Sequence, residues 1–342
     1  MKVEDGKVDR ESELYNYLKD RVLRARQGEL SPHLDRLDFR VYRLQASHHV
    51  FKVVEKKSGI AFLIKSYAGD RADDEVKCRR FQRELENVHL FERFGVDGAG
   101  HRIAVPFFVD PERFLIAYPF FEGKELGHYI KRAILNGKEK TLKHKLSALA
   151  DFLHFLHRHV AAEGIEISHI VRLFIAKVKS AERASLIDGN TARQAQCLIE
   201  RWVEFPILRD AHKCLIHGDA TPSNFLFEGD HVAVIDLENI TWGDRSYDLG
   251  MVAGELKHQC MMHSGNRFAA EGYIGHFYWE YSRRCNDPYK TFKVFTAKNP
   301  FYMAYTEFRI AGNEWLAWDH RKWLTFEGME CLKALHRDGW SS

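Results

Sequence analysis

The sequence predicts an α+β protein of two lobes, a small β-rich N-terminal lobe and a larger, mainly helical C-terminal one. Three observations predict it. Between residues 38 and 67 lie three strand-like apolar runs separated by short polar turns; from Leu142 onward leucines recur at helical spacing; and after Ile216 a loop rich in turn residues sits between two further apolar runs. At 342 residues the chain is long enough to bury a core in each of two lobes. The expected division is a helical extension over 1–37, a first lobe over 38–122 and a second over 123–342.

Within residues 9 to 27, Leu14, Leu18 and Val22 fall at i, i+4 and i+8 among charged neighbours, which predicts an amphipathic helix packed on the first lobe. Gly28 and Pro32 end it. Phe39 to Leu44, Val50 to Val54 and Ile60 to Tyr67 then read as an antiparallel meander. Period-two alternation puts Lys65 on the face of Leu63 and Ala61, where a lone cation on an apolar strand wants an anion. Cys78 to Phe94 reads as helix and offers Glu84 and Glu86. Phe114 to Phe121 is a further apolar run.

Lys131, Arg132, Lys138, Lys140, Lys143 and Lys145 form a basic cluster, read as a solvated face, with a landing site for a phosphorylated or lipid-linked substrate as the alternative. The helix there has a buried stripe of Leu142, Leu146, Leu149, Leu153 and Leu156. Residues 160 to 212 read mostly as helix, broken at Gly189 and Asn190. Gly250 to His263 and the remainder to Trp340 read as helical, with Tyr273, Phe277, Trp279, Tyr281, Trp315, Trp318 and Trp323 expected in the core.

The densest chemistry lies in Ile216 to Phe227 and in the run Val232 to Ile235, which ends on Asp236. Gly218, Thr221 and Pro222 forbid a regular helix, so Asp219 and Asn224 sit on a loop. Glu228-Gly229-Asp230-His231 makes a hairpin turn that folds the second run back beside it. A hydroxyl-orienting carboxylate, Asp219, and two oxygen ligands for magnesium, Asn224 and Asp236, then share one pocket. Phosphoryl transfer uses that set of parts.

The pattern His217-Gly218-Asp219, four residues, Asn224, then a strand closing on Ile235-Asp236-Leu237-Glu238 resembles the aminoglycoside phosphotransferase and choline kinase family, most closely over 212–250 and more faintly over 38–255. The resemblance implies a protein-kinase-like fold. It implies that Asp219 is the catalytic base, that Asn224 and Asp236 hold Mg2+ with Glu238 in support, and that Asp248 of Tyr247-Asp248-Leu249-Gly250 is a structural acid. Lys65 is then the strand lysine that meets the inner phosphates of ATP and pairs with Glu84, Glu86 being the rival. Gln45 to Val50, where a glycine-rich phosphate cover would lie, has no glycine; Ser47 occupies the place of the serine that related small-molecule kinases use there. Phe114 to Phe121 becomes the last strand of the first lobe and the hinge, with Tyr118 and Phe120 beside adenine.

Composition narrows the rest. A formal net charge of +3, with both signs interspersed, gives no nucleic-acid footprint. The six cysteines are scattered with no Cys-x-x-Cys pair, and the nineteen histidines show neither a metalloprotease nor a finger spacing. Reduced cysteines, no signal-peptide core and no apolar run of membrane-spanning length make the cytoplasm the expected location. The expected activity is transfer of phosphate from ATP to the hydroxyl of a small molecule: a sugar, an amino alcohol, an aminoglycoside-like compound or an envelope saccharide precursor. A protein kinase of the same fold and an inactive nucleotide-binding scaffold are the alternatives. The short segment from Asp236 to Asp248 and the lack of an Ala-Pro-Glu motif speak against the first, and the presence of Lys65, Asp219, Asn224 and Asp236 together speaks against the second.

Overall fold

A computed structural model describes residues 5–26, 37–44, 49–68, 73–94, 101–164, 167–209 and 212–334. The chain divides into two compact units, Met1–Glu122 with Ala233–Glu238, and Gly123–Val232 with Asn239–Ser342.

The first unit runs β1 (Gly6–Lys7), α1 (Glu13–Tyr17), a π-helical turn (Leu18–Leu23), β2 (Phe39–Arg43), β3 (His49–Glu55), β4 (Ala61–Ser66), α2 (Asp74–Arg93), β5 (His101–Ile103), β6 (Phe108–Asp110) and β7 (Leu115–Pro119). Its described strands form a sheet of order β1-β2-β3-β4-β7-β6, antiparallel at every pairing. Alternation along the strands sorts the side chains. Phe39, Val41, Phe51, Val53, Phe62 and Ile64 cluster with Tyr15, Leu18, Val22 and Leu23 of the N-terminal helix. Leu63, Ile116 and Tyr118 cluster instead with Tyr67, and with Phe81 and Leu85 of α2. Fully burying side chains of this size contributes about 1.5–3 kcal/mol each. The helix expected over 9–27 begins at Glu13 and widens to π-winding from Leu18. The wider turn brings two consecutive residues, Val22 and Leu23, onto the buried face together. Helix α2 starts four residues before the predicted Cys78, because the Asp73 carboxylate caps it by accepting from the Val76 N–H at 2.8 Å.

The second unit runs β8 (Lys124–Glu125), α3 (Leu126–Asn136), α4 (Glu139–His157), β9 (Val160–Gly164), α5 (Ser168–Arg183), α6 (Gly189–Glu204), α7 (Pro206–Arg209), β10 (His212–Ile216), a 3-10 turn (Pro222–Asn224), β11 (Phe225–Glu228) and the first half of β12 (His231–Val234), whose last two residues count with the first unit. The chain passes through Ala233–Glu238 of the first unit and returns as β13 (Thr241–Asp244), α8 (Arg245–Ser264), α9 (Glu271–Ser282), α10 (Pro288–Ala311) and α11 (Trp318–Lys333). Strands β13, β10 and β9 form one sheet, and β8 pairs with β11.

The leucine stripe of α4 is fully buried. The break expected at Gly189 and Asn190 is present: α5 ends at Arg183 and α6 opens at Gly189, where Asp188 caps it at the Thr191 N–H. Three expectations are corrected. Residues 160–164 are strand β9, not helix, because Val160 pairs with Cys214 of β10. Lys145 is not part of a solvated face; it is buried and donates to the Gly229 carbonyl at the 229–230 turn. Of the expected core aromatics, Tyr273, Phe277 and Tyr281 are buried but Trp315 and Trp318 are exposed, flanking the turn between α10 and α11.

Helices α8 and α10 approach closely at two glycines. A Cβ on Gly250 would lie 2.3 Å from Tyr302 Cβ, and one on Gly254 would lie 2.6 Å from Thr306 Cβ. The four-residue step is the same on both helices, so the two glycines fix the register in which the side chains beyond them meet.

Candidate active site

In the first unit, Lys65 on β4 lies between Val50 of β3 and Ile116 of β7. Its ammonium group, only 7% exposed with the rest of the residue, is 2.6 Å from Glu84 Oε2, 2.8 Å from Asp236 Oδ1 and 3.6 Å from a Glu238 carboxylate oxygen. Burial acts to lower its pKa, but the three carboxylates outweigh burial and raise it, so the lysine stays charged. Glu84 is the buried acid of α2 and Glu86 is exposed, which resolves the two candidates by geometry. The hydroxyls of Tyr67 and Tyr118 both donate to Glu84. Burial first and the Glu84 charge second push both phenols upward, keeping them protonated as donors. Tyr118 therefore spends its hydroxyl on Glu84, while Phe120 lies under the Lys52 ammonium, 3.7 Å from ring centroid to nitrogen.

Asp236 has a left-handed backbone, φ 61°, uncommon for a residue with a side chain. The turn there is held by α2, where Asn87 Nδ2 donates to the Leu237 carbonyl at 2.7 Å. Ser47 lies outside the described residues.

In the second unit, β10 ends at Ile216 and the chain turns at Gly218, φ 76°, where a Cβ would come within 2.2 Å of the Asn239 carbonyl oxygen. Asp248, fully buried near the start of α8, accepts from the His217 N–H at 2.7 Å and the Gly218 N–H at 3.0 Å. Its Oδ2 also lies 3.0 Å from His157 Nε2, and His157 Nδ1 is 3.0 Å from the Tyr281 hydroxyl. Asp248 thus pins the loop immediately before Asp219. From the other side, Asn224 Nδ2 donates to the Asp219 carbonyl at 2.8 Å and to Asp219 Oδ2 at 3.1 Å. With its Nδ2 committed there, Asn224 has its Oδ1 left to serve as an oxygen ligand.

The remaining Asp219 oxygen, Oδ1, meets a group the sequence did not disclose. Arg309 of α10 reaches it with Nη1 at 3.3 Å and holds Glu255 of α8 with Nη2 at 2.8 Å. Burial pushes the Glu255 carboxyl up to about 7, against the lowering effect of Arg309 and with the Asp219 charge adding to the rise. Glu255 stands seven residues after Asp248, two helical turns on, so helical spacing was the one signal that pointed to it. Arg309 had none.

Among the described residues, Glu84, Asp236 and Glu238 are the one acidic group whose ligand atoms lie within 4.8 Å of one another, and Lys65 supplies the cation there. No described helix is long and apolar enough to cross a membrane.

A model of the phosphotransferase enzyme family matches residues 29–284. Among solved structures, choline kinase from Cryptosporidium parvum superposes with a TM-score of 0.60 at 12% identity, covering 90% of this chain and 94% of that one. An ethanolamine kinase of Plasmodium vivax gives 0.57 at 17%, covering 95% and 89%, and an ADP-bound aminoglycoside phosphotransferase gives 0.51 at 16%, covering 86% and 92%. At these identities the likeness is one of fold, and the protein-kinase-like α+β fold read from the sequence is the fold observed. Among curated proteins, no sequence matches.

Proposed function

The chain belongs to the phosphotransferase enzyme family, and on that premise we propose that it moves the γ-phosphoryl group of ATP, with magnesium, to a hydroxyl of a small molecule. The observation that carries this reading is Lys65: a buried strand lysine held at 2.6 Å by a helix glutamate and at 2.8 Å by the acid of a strained turn. An ammonium fixed in that way is preorganised for the inner phosphates of a nucleotide. Tyr67 and Tyr118 serve it at one remove, by fixing Glu84, and Phe120 borders the adenine.

Asp219 takes the acceptor's proton as the hydroxyl attacks, and its loop is held in place by Asp248 and Asn224. Magnesium, when bound, supplies positive charge to the outer phosphates. Asn224 Oδ1 and the Asp236 oxygen not facing Lys65 are hard oxygen donors that suit it, with Glu238 in support. That is too few ligands for a protein-only cage, so magnesium binding should need nucleotide.

The short stretch between Asp236 and α8 leaves no room for the long segment on which protein kinases dock peptides, which favours a small acceptor. Solved neighbours are named for choline, ethanolamine and aminoglycosides. A sugar or an envelope saccharide precursor remains within the class of acceptor the sequence suggests.

Incubation of the pure protein with γ-labelled ATP and a metabolite pool tests the reading and identifies the product. Asp219→Asn keeps the side-chain shape and loses the base, so transfer should fall by about 10² or more with ATP affinity unchanged, whereas Lys65→Ala should weaken ATP binding as well. Transfer by Asp219→Asn within a few-fold of wild type would sink the mechanism.

A further inference from the structure

The surroundings of Asp219 carry an inference about the acceptor, which rests on Asp219 being where the acceptor hydroxyl reacts. We infer that the acceptor bears an anionic group, a phosphate or a carboxylate, and that Arg309 and Lys177 receive it.

Both carboxylates at this place, Asp219 and Glu255, are engaged by the one Arg309 guanidinium, at 3.3 and 2.8 Å. An acceptor amine approaching Asp219 meets that guanidinium first. It gains a carboxylate only by breaking the arginine pair and leaving two cations side by side, so the built-in arginine acts against cationic acceptors. Arg309 is partly exposed, and two contacts leave part of its five-donor fork unused.

A second cation lies on the helix packed against α10. Lys177 of α5 is half-buried and makes no hydrogen bond or ion pair among the described residues. Its pKa is lowered, by burial first and then by the charge of Arg309. The two helices are packed together through Phe174, whose ring contacts Phe301, Tyr305 and Phe308 of α10; Lys177 follows Phe174 within one turn, and Arg309 directly follows Phe308. A half-buried lysine whose charge is opposed by burial and by a neighbouring helix's arginine is relieved by an anion that reaches both. Glu255 anchors the arginine, whose buried Nε has no hydrogen-bond partner among the described residues.

The test uses matched acceptors with the full chain: glucose, glucosamine, glucuronate and glucose 6-phosphate, and glycerol, ethanolamine, glycerate and glycerol 3-phosphate. The anionic member of at least one set should exceed its neutral and amine counterparts about tenfold in kcat/KM, the phosphate and carboxylate arms telling which anion is preferred. Arg309→Gln and Lys177→Met should each raise KM for that acceptor about tenfold or more, the scale of one lost charge-assisted hydrogen bond, with KM for ATP within twofold. Lys177→Met alters no paired group, so it remains informative if Arg309→Gln folds poorly. An amine or neutral compound best in both sets, or KM for the anionic acceptor unmoved in both variants, overturns the inference. Absence of transfer to every compound counts against the phosphotransferase reading instead. Calorimetric titration of glycerol 3-phosphate and glycerate into nucleotide-free protein then decides the anion site: binding lost in the two variants supports it, and binding equal to or absent as in wild type overturns it.

Discussion

Replacing Lys65 by methionine removes one positive charge from among three negative ones and leaves a side chain of similar length. The ligand oxygens of Glu84, Asp236 and Glu238 lie within 4.8 Å of one another. At an effective dielectric constant of about 20, two unit charges at that separation repel by about 3.5 kcal/mol. Three such pairs cannot all persist without the ammonium, so in the variant one or more carboxyls take up a proton instead. The expected net loss of stability at pH 7.5 is about 3–5 kcal/mol, the range for breaking a buried ion pair from one side.

The sign with pH follows. In the wild type the Lys65 pKa is raised above its unfolded value, so its contribution is present at every pH below about 10. In the variant the folded state binds extra protons on its carboxylates, so its stability falls as pH rises, and its deficit against wild type should be smaller at pH 5 than at pH 7.5 by about 1.4 kcal/mol per proton and pH unit. Every tryptophan of the chain lies beyond residue 122, in the second unit. Tryptophan fluorescence therefore misses the effect, and urea unfolding followed by far-UV circular dichroism, with hydrogen exchange of β4 and α2 peptides, is the assay. A deficit below 1 kcal/mol, or one equal at the two pH values, would refute the reasoning.

Three further perturbations test other parts of the structure. Glu255→Gln removes a carboxyl whose folded pKa of about 7 lies above its unfolded value, so wild type should lose stability relative to this variant as pH rises from about 4.5 to 7, by on the order of 3 kcal/mol in total, read from thermal unfolding across that window. His258, 2.9 Å from the ring nitrogen of His320, is pushed down to about 3 by burial first and the neighbouring His320 charge second. It is buried neutral, so the stability it supports is present above about pH 6.5 and lost as pH falls; His258→Gln should flatten the acid limb of the stability curve. Gly254→Ala improves helix propensity by up to about 1 kcal/mol, yet its Cβ would sit 2.6 Å from Thr306. A net destabilisation of about 1–3 kcal/mol by denaturant titration is expected, and a stabilised variant would show that α8 and α10 can part at no cost.

What the sequence disclosed follows from the range of the forces involved. The strands around Lys65 were legible because alternation is local: Leu63 and Lys65 on one face, Phe62 and Ile64 on the other, each matched by a separate cluster. The Asp219 loop was legible because Gly218, Pro222 and Asn224 are within a few residues of it. The π-winding at Leu18–Leu23 was not, because it depends on which residues the sheet buries rather than on their spacing. Strand β9 was hidden by Ala161 and Ala162, residues that favour helix, and exists through its pairing with β10. Arg309 was invisible for the strongest reason. Its carboxylate partners are 90 and 54 residues away, and the register that joins it to them is set by the glycines of α8.

The chain enters the first unit a second time, through Ala233–Glu238. That detour makes the first unit inseparable by a single cut. A fragment ending at Glu122 would keep Lys65 and Glu84 but lack Asp236 and Glu238, two of the three counter-charges around the buried ammonium. It would also strand the Ala104 N–H, which donates to the Val234 carbonyl, and the Asn87 amide, which donates to that of Leu237. Any dissection of this protein into modules, or any fusion that grafts its first unit elsewhere, must therefore carry the 233–238 segment along, as an added peptide or by rerouting the chain.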